Sequence, residues 1–347
     1  MKESVGYTML EYLSKRIAMA LVTLFVIMLV SYLLLRLAPG DPTKTTIIGE
    51  NAATQGISSE KNVLAQNKSL REKLHLDKPP YVGFYLWMEG ILLHGDFGES
   101  ASVDKGRPVV GIILERLPIT ISLNFFAILL TYMLSIPIGI HSAVTSRKNL
   151  DKGITFSLLF LYSLPTFWIA LLLQACLCEG GQWPIFPIRG ISAGNTWGHG
   201  TWEVLLDTAE HFILPVFCLC YTSLAGLSRY ARASMIEVIR QDYIRTARAK
   251  GLSEQAVILK HAFRNALITL ITLFADLLPC LVAGSIIIEF VFGVPGMGYL
   301  SMMALNSRDI PVLMALFGFG GALTLAGIII SDLLYVAVDP RISFDKR

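Results

Sequence analysis

The chain has 347 residues, of which 54% are hydrophobic and 16% are charged, and its mean hydropathy is +0.58. Soluble domains carry about 25% charged residues, and the hydrophobic residues here form long blocks, so the composition excludes an ordinary soluble protein. The net charge of +3 matters less than its distribution. Residues 38–115 carry 8 basic and 10 acidic side chains, so this segment is not a basic patch for nucleic acid.

Six hydrophobic stretches are long enough to cross about 30 Å of hydrocarbon as helices. They are residues 17–35, 117–140, 153–178, 212–228, 267–290 and 310–331. The first stretch follows two basic residues, as a signal peptide would, but it is too long for that class of segment and has no small-x-small cleavage site after it. The sequence therefore predicts an all-α integral membrane protein of about six transmembrane helices, the first of which is retained.

Lysine and arginine residues predict the orientation of these helices. The two termini and the loops 147–152 and 229–266 hold 17 of the 29 basic residues, whereas the loops 179–211 and 293–309 hold one arginine each. By the positive-inside rule, both termini are cytoplasmic, and the long segment after the first helix is extracytoplasmic.

This topology divides the chain into three regions. Residues 1–37 form the cytoplasmic N-terminus and the first transmembrane helix, residues 38–115 an extracytoplasmic segment, and residues 116–347 a five-helix core that contains the longest basic loop. Within the extracytoplasmic segment, residues 60–74 predict a polar helix. Residues 81–93 predict a helix on the membrane surface, because their aromatic side chains suit the interface.

The loop 229–266 carries an informative local pattern. Residues 230–250 contain no proline or glycine and predict a helix, and Gly251 then supplies a stop of the kind found just past helix ends. Ser253 is a good N-cap, and Glu254 complements the dipole of a second helix that continues into the fifth span. The loop is therefore predicted to be a helix, a glycine turn and a second helix.

The basic residues near this turn, Arg245, Arg248 and Lys250, have two interpretations. Basic side chains beside a membrane can simply follow the positive-inside rule and contact anionic lipid. The alternative is a docking site for a cytoplasmic partner, because attraction to lipid requires neither a glycine break nor the neutral Thr-Ala-Arg-Ala face. Residues 242–252 are called the elbow below.

The elbow sequence, DYIRTARAKGL, followed by KHAFRNA, resembles the cytoplasmic loop of inner-membrane permeases of the peptide and nickel class of ABC importers. The resemblance extends over nearly the whole chain. Its further motifs are RLAPGDP (36–42), LHLDKPP (74–80), HGDFGES (94–100), RLPIT (116–120), SLPTFW (163–168), HFILP (211–215), RYARASM (229–235), EFVFGVPGMG (289–298), RDIP (308–311), SDLLY (331–335) and DPR (339–341). Any one of these motifs is weak evidence, but so many in the same order are specific.

The resemblance implies the type I ABC importer permease fold in a bacterial cytoplasmic membrane. Besides membrane lipid, it implies a second homologous permease, two ATPase subunits and an extracytoplasmic substrate-binding protein as partners. In that family the elbow forms a short coupling helix that sits in a groove of an ATPase subunit. The corresponding residues here are Asp242, Tyr243, Arg245, Thr246, Ala247, Arg248, Ala249, Lys250, Gly251 and Leu252.

Two features depart from the family pattern. The general permease motif has Glu-Ala-Ala six to four residues before the glycine, where this chain has Arg245, Thr246 and Ala247. The proline that commonly follows Arg-Asn-Ala-Leu is replaced by Ile268 and Thr269. The turn into the fifth span is therefore expected to differ in detail from that of the family.

Sequence patterns for an enzyme are weak. The chain has no Gly-x4-Gly-Lys-Ser/Thr loop, so we expect ATP and Mg²⁺ on partner subunits and no cofactor on this chain. GISAG (190–194) matches the nucleophile-elbow pattern, with Ser192 as nucleophile and Asp207 and His211 downstream, but its loop has no room for a sheet. Neither the histidines nor the Cys-Leu-Cys pairs form a metal-ligand pattern, so we predict no metal. Because none of these enzyme patterns is convincing, we also predict no catalytic residue.

Two acidic residues are candidates for the transport path. Charged side chains in the middle of a span cost about 2.5–3.5 kcal/mol on insertion scales, so Asp276 requires a partner or a place on the path. Glu289 lies at the outer end of the fifth span, where we predict a gate or a contact with the binding protein. These acids leave open a rival function, an ion-coupled secondary transporter in which one of them carries protons.

The expected function is that of a transport subunit rather than an enzyme: a transmembrane permease of an ATP-driven importer of oligopeptides or dipeptides. A nickel or other small-solute ABC permease is the alternative, because permeases for peptides and for nickel share these motifs.

Overall fold

The computed structural model describes residues 9–37, 77–145, 149–192, 201–277 and 280–338, and most of these residues are helical. The helices are α1 Met9–Leu37, α2 Pro80–His94, α3 Val109–Val144, α4 Asn149–Ser163, α5 Thr166–Leu177, α6 Thr201–Ile239, α7 Asp242–Ala249, α8 Glu254–Ala256, α9 Phe263–Leu277, α10 Cys280–Ala283, α11 Ile286–Phe292, α12 Met297–Ser307 and α13 Ile310–Val338, and a π-helix, Val257–Ala262, joins α8 to α9. Within the described ranges, β-structure is limited to two isolated bridges. The all-α class is confirmed, and the helix predicted at 81–93 is α2; the polar helix predicted at 60–74 lies outside the described residues.

Four of the described helices, α1, α3, α6 and α13, are long and apolar enough to cross a membrane. The number rises to six if two bent pairs, α4 with α5 and α11 with α12, each form one span. These helices confirm a multi-pass membrane protein of about six transmembrane helices.

Two of the predicted spans are not continuous helices. The span predicted at 153–178 consists of α4 and α5, which meet at an angle of 91° around Leu164. Pro165, the N-cap of α5, has extended backbone angles at this break (φ −62°, ψ 131°), and the residue before a proline disfavours the α conformation. The span predicted at 267–290 is divided among α9, α10 and α11, and Gly284, with a φ of +68°, separates the last two.

The chain falls into two compact units. The first comprises residues 1–119 and 296–326, and the second comprises residues 120–295 and 327–347. In the first unit α2 packs on α1, where the ring of Phe84 makes edge contacts with aromatic residues of α1 at centroid distances of 5.5 and 5.7 Å.

The first unit also contains a buried carboxylate, Asp309, directly before α13. One oxygen accepts hydrogen bonds from the hydroxyl of Ser100 (2.6 Å) and from the N–H groups of Ser102 (2.8 Å) and Val103 (3.0 Å). The other oxygen accepts from the N–H of Val312 at 3.4 Å and caps the N-terminus of α13. Asp309 therefore ties the loop before α3 to the start of the last helix.

In the second unit, α3 and α6 cross at very short range. A Cβ atom placed on Gly139 of α3 would lie 2.5 Å from the Cβ atom of Ala231 and 2.9 Å from the carbonyl oxygen of Ser228. Ala231 and Ser228 are both buried on α6. Small residues are what allow membrane helices to approach this closely, so Gly139 sets the distance between the two helices.

We expect Gly139→Ala to destabilise the folded protein by about 1–3 kcal/mol, the usual cost of overpacking, because backbone atoms of α6 block the added methyl group. Gly111→Ala in the same helix is the matched control, since a Cβ atom there meets nothing within 4 Å. Thermal unfolding in detergent should show a lower midpoint for Gly139→Ala alone. Equal midpoints for the two variants would contradict the close crossing.

Candidate functional site

The elbow begins where α6 ends. Helix α6 stops at Ile239, and Gln241 has extended backbone angles (φ −70°, ψ 149°) before α7 begins at Asp242. The prediction of one unbroken helix over 230–250 is therefore wrong, and the physical reason is a long-range contact. The turn allows Ile244 to fold back onto the ends of α3 and α6, where its side chain is fully buried.

Helix α7 buries one face and exposes the other. Ile244 and Ala247 are 0% and 8% exposed and pack in an apolar cluster with Ala143 of α3, Met235 of α6 and Val257 of the π-helix. The exposed residues of the elbow are Asp242, Tyr243, Arg245, Thr246, Arg248, Ala249, Lys250, Gly251 and Leu252. The residues predicted for coupling are thus all exposed, except Ala247, which belongs to the core beneath them.

The glycine turn and the helix cap predicted after α7 are confirmed. Gly251 has a φ of +77°, in the left-handed region that favours glycine, and its N–H donates to the carbonyl of Arg248 at 3.0 Å. The hydroxyl oxygen of Ser253 then accepts a hydrogen bond from the N–H of Ala256 at 3.4 Å and caps α8. The local sequence, through Gly251 and Ser253, therefore accounts for the reversal of the chain at this turn.

Two side-chain contacts brace the elbow across this turn. The guanidinium of Arg248 donates to both carboxylate oxygens of Glu254, at 2.6 and 3.1 Å, and Asn265 Nδ2 donates to the hydroxyl of Tyr243 at 2.9 Å. Hydrogen bonding in the ion pair raises the pKa of Arg248 and lowers the pKa of Glu254. Both groups are therefore charged at neutral pH, and acidification that protonates Glu254 removes the pair.

The segment after α8 is a π-helix, which the sequence analysis missed. It runs over Val257–Ala262, and both of its terminal residues are fully buried. Helices of this type are rare and occur frequently at functional sites. No residue type in VILKHA marks the change of helical pitch, so the sequence offers no signal for it. Together with α8, the π-helix connects the elbow to α9.

Glu289, predicted to serve a gate or a contact with a binding protein, is fully buried in α11. Its Oε1 atom accepts hydrogen bonds from the hydroxyl of Thr120 on α3 (3.2 Å) and from the N–H of Ser285 (3.3 Å). In this position the carboxylate closes the first turn of α11 and ties it to α3. Its service in a gate stays a prediction.

A second polar residue, Gln174 of α5, holds the same region. Its amide Nε2 donates to the carbonyl oxygens of Ile188 at 3.2 Å and Val291 at 3.3 Å, and the N–H of Gly190 donates to the carbonyl oxygen of Phe292 at 3.1 Å. The sequence analysis missed Gln174, although a single amide within an otherwise apolar helix was an available signal. These bonds fasten the loop after α5 to α11.

Two other candidates from the sequence need separate treatment. The side chain of Asp276, in α9, lies outside the described part of the structure, so its place on the transport path stays a prediction. Of the hydrolase pattern, His211 and Asp207 lie one turn apart on α6, with His211 Nδ1 2.8 Å from the carbonyl oxygen of Asp207. The described ranges contain no β-strand on which a nucleophile elbow at Ser192 could be built.

Comparison with known families agrees with this architecture. Residues 135–344 match the model of the binding-protein-dependent transport system inner membrane component. Residues 9–124 match the model of the N-terminal part of such membrane components. The chain belongs to this family. It is therefore a multi-pass transport subunit of an inner membrane, and the resemblance inferred from its motifs is confirmed.

This transport-system membrane component is similar over nearly its full length to permeases of several bacteria. The oligopeptide transport system permease protein AppB of Bacillus subtilis is 38% identical over 97% of this chain and 100% of its own length. The dipeptide transport system permease protein DppB of Alkalihalophilus pseudofirmus is 33% identical, over 97% and 100%. The inner membrane ABC transporter permease protein YejB of Escherichia coli O157:H7 is 30% identical, over 97% and 99%.

The packing of the elbow predicts which of the elbow residues hold α7 in place. Ile244→Ala should loosen α7, because removing a fully buried isoleucine side chain costs about 2–5 kcal/mol. Arg245→Ala, at the next and exposed position, is the matched control. Hydrogen exchange of the protein in detergent should show faster exchange over 242–250 in the first variant only. Unchanged protection in Ile244→Ala would contradict the packing of α7.

Proposed function

We propose that this chain is a transmembrane permease subunit of an ATP-driven importer of oligopeptides or dipeptides, coupled to ATPase subunits through the elbow. The observation that carries the proposal is the construction of the elbow. A short helix presents exposed side chains, while Ile244 and Ala247 pack in an apolar cluster with the ends of α3 and α6 and with the π-helix. Such a surface is suited to receive a displacement from a cytoplasmic partner.

The proposed complex contains a second homologous permease, two ATPase subunits and an extracytoplasmic substrate-binding protein. The family description, which names binding-protein-dependent transport, supports the last of these. ATP and Mg²⁺ belong on the ATPase subunits in this proposal, because this chain carries no phosphate-binding loop of the P-loop type. The distribution of lysine and arginine supports cytoplasmic termini and a cytoplasmic elbow. In this proposal, basic side chains beside the membrane contact anionic lipid.

The proposed mechanism follows from how firmly each part of the elbow is held. ATP shifts the population between inward-open and outward-open states through contacts that differ between the two states. Because protein cores are close-packed, movement of α7 passes through Ile244 to Met235 of α6 and Ala143 of α3 with little loss. The two-pronged ion pair of Arg248 with Glu254 links the residues on either side of the glycine turn.

Peptides are proposed as the substrate class because AppB and DppB, which match nearly the whole chain, are named oligopeptide and dipeptide permeases. Nickel or another small solute is the alternative substrate within the same transport mechanism. Uptake of labelled peptides and of nickel by cells that express the complete transporter distinguishes these substrates directly.

Replacement of Gly251 by valine should abolish uptake while membrane insertion remains normal. A β-branched residue at a φ of +77° costs on the order of 1–3 kcal/mol of backbone strain, and relief of that strain reshapes the elbow. Gly106→Val is the matched control: Gly106 has a φ of +78°, and neither glycine has any atom within 4 Å of an added Cβ. Normal uptake in Gly251→Val would remove the coupling role from the elbow.

Co-purification tests the partner assignment. The chain is expressed with the ATPases and permease encoded beside it, extracted in mild detergent, and compared with a variant altered at both Gly251 and Arg248. We expect the ATPase to remain bound to the wild-type chain and to be lost from the variant. Absence of any ATPase from the wild-type preparation, together with uptake that collapses under a protonophore while ATP is maintained, would favour the ion-coupled transporter instead.

A further inference from the structure

Three helices of the second unit meet at one buried carboxylate, Asp151 of α4. Arg232 of α6 donates to both oxygens of this carboxylate, from Nε at 3.0 Å and from Nη2 at 2.8 Å, and the hydroxyl of Ser142 on α3 donates to it as well. The Asp151 side chain is 6% exposed and that of Arg232 is 32% exposed. The acid also lies in the first turn of α4, where the helix dipole favours negative charge.

This cluster lies directly beside the contacts that hold the elbow. Arg232 is three residues before Met235 on α6, and Ser142 is adjacent to Ala143 on α3. Met235 and Ala143 belong to the same apolar cluster as the buried face of the elbow, together with Val257 of the π-helix. Any displacement of the elbow that moves the ends of α3 and α6 therefore acts on the carboxylate of Asp151 within one helical turn.

Besides the junction at Asp151, α4 is held at its far end, where the hydroxyl of Tyr221 on α6 donates to the carbonyl of Leu164 at 3.0 Å. Beyond the junction at Asp151, an open groove of about 630 Å³, lined by residues that include Ile138 and Ile154, separates α3 from α4. Helix α4 lies along α6, and among its large side chains Phe156 and Phe160 are more than half exposed. Apolar contacts are non-directional and permit sliding, whereas a two-pronged guanidinium–carboxylate contact fixes both distance and direction.

The far end of α4 leads to the parts of the fold that are broken. It meets α5 at 91°, and Gln174 of α5 holds the carbonyl of Val291 in α11. A continuous series of contacts thus runs from the elbow through Asp151 to the helix breaks of the second unit.

We propose that Asp151 and Arg232 are positioning residues for transport, whose ion pair transmits the displacement of the elbow to α4. The inference rests on the proposed function, because it requires the elbow to be driven by an ATPase. The forked geometry of Arg232 is essential to this role, so lysine, which carries the same charge without the fork, is not an equivalent replacement.

The test uses the complete transporter in liposomes, with its binding protein and a labelled mixture of di-, tri- and tetrapeptides, and measures peptide imported per ATP hydrolysed. The main variant combines Asp151→Asn with Arg232→Gln, so that no unpaired charge stays buried. We expect it to assemble with the ATPases and hydrolyse ATP, but to import roughly tenfold less peptide per ATP, near the upper range for changes along a coupling route.

Two further variants separate positioning from simple folding support. Arg232→Lys keeps the charge, and we expect it to accumulate normally yet to import less peptide per ATP than wild type. Arg107→Gln is the matched control, because Arg107 forms an exposed ion pair with Asp104 and Glu115 outside this chain of contacts, at 2.7 and 2.5 Å. Its ratio of import to hydrolysis should equal that of wild type.

The outcomes that overturn the inference are distinct from those that overturn the proposed function. A wild-type ratio in the Asp151→Asn/Arg232→Gln variant, or failure of that variant to accumulate while Arg232→Lys couples normally, would assign the pair to folding alone. A wild-type transporter that imports peptide without ATP hydrolysis would contradict the proposed function itself.

Discussion

The constraint on which the second unit depends is that backbone groups freed at a helix break inside a membrane must find partners within the protein. The hydroxyl of Tyr221 on α6 donates to the carbonyl of Leu164 at the break between α4 and α5, at 3.0 Å. The amide of Asn124 on α3 donates to the carbonyls of Cys280 and Leu281 in α10, at 3.2 and 3.0 Å. At both places, carbonyl groups at or beside a break accept hydrogen bonds from a side chain of a continuous helix.

This arrangement divides the helices of the second unit into two kinds. Helices α3 and α6 are long and cross closely at Gly139, so they form a rigid frame. The shorter helices α4, α5 and α11 pack against α6, and the breaks among the short helices are further bridged to the frame by polar side chains such as Asn124, Thr120 and Tyr221. One hydrogen bond contributes about 0.5–1.5 kcal/mol net to stability. Exchanging the partner of such a bond is therefore easier than separating the closely packed helices α3 and α6.

Short-range signals account for what could be predicted from the sequence. Hydropathy over about 20 residues identified the membrane helices, and the backbone freedom of Gly251 and the capping ability of Ser253 identified the turn of the elbow. The break at Gln241 could not be predicted in this way, because it follows from burial of Ile244 against residues of α3 and α6. Glu289 was predicted from its place in the chain to serve a gate or a contact with the binding protein, while the hydroxyl that bonds it belongs to Thr120, 169 positions earlier. The coupling role of the elbow residues came from a family resemblance and not from any physical property of the segment alone.

In the proposed transport cycle, ATP binding switches the transporter between inward-open and outward-open states. The segment that receives the displacement from the ATPase must then be rigid, whereas the helices that line the path must be able to rearrange. The elbow meets the first requirement through a buried apolar face and the charged brace between Arg248 and Glu254. The broken helices meet the second, since their backbone groups already depend on exchangeable side-chain partners such as Gln174. A continuous helix in place of α4 and α5 would satisfy its own backbone fully and would lose this freedom. The breaks that made two of the predicted spans discontinuous are therefore the part of the fold best suited to movement.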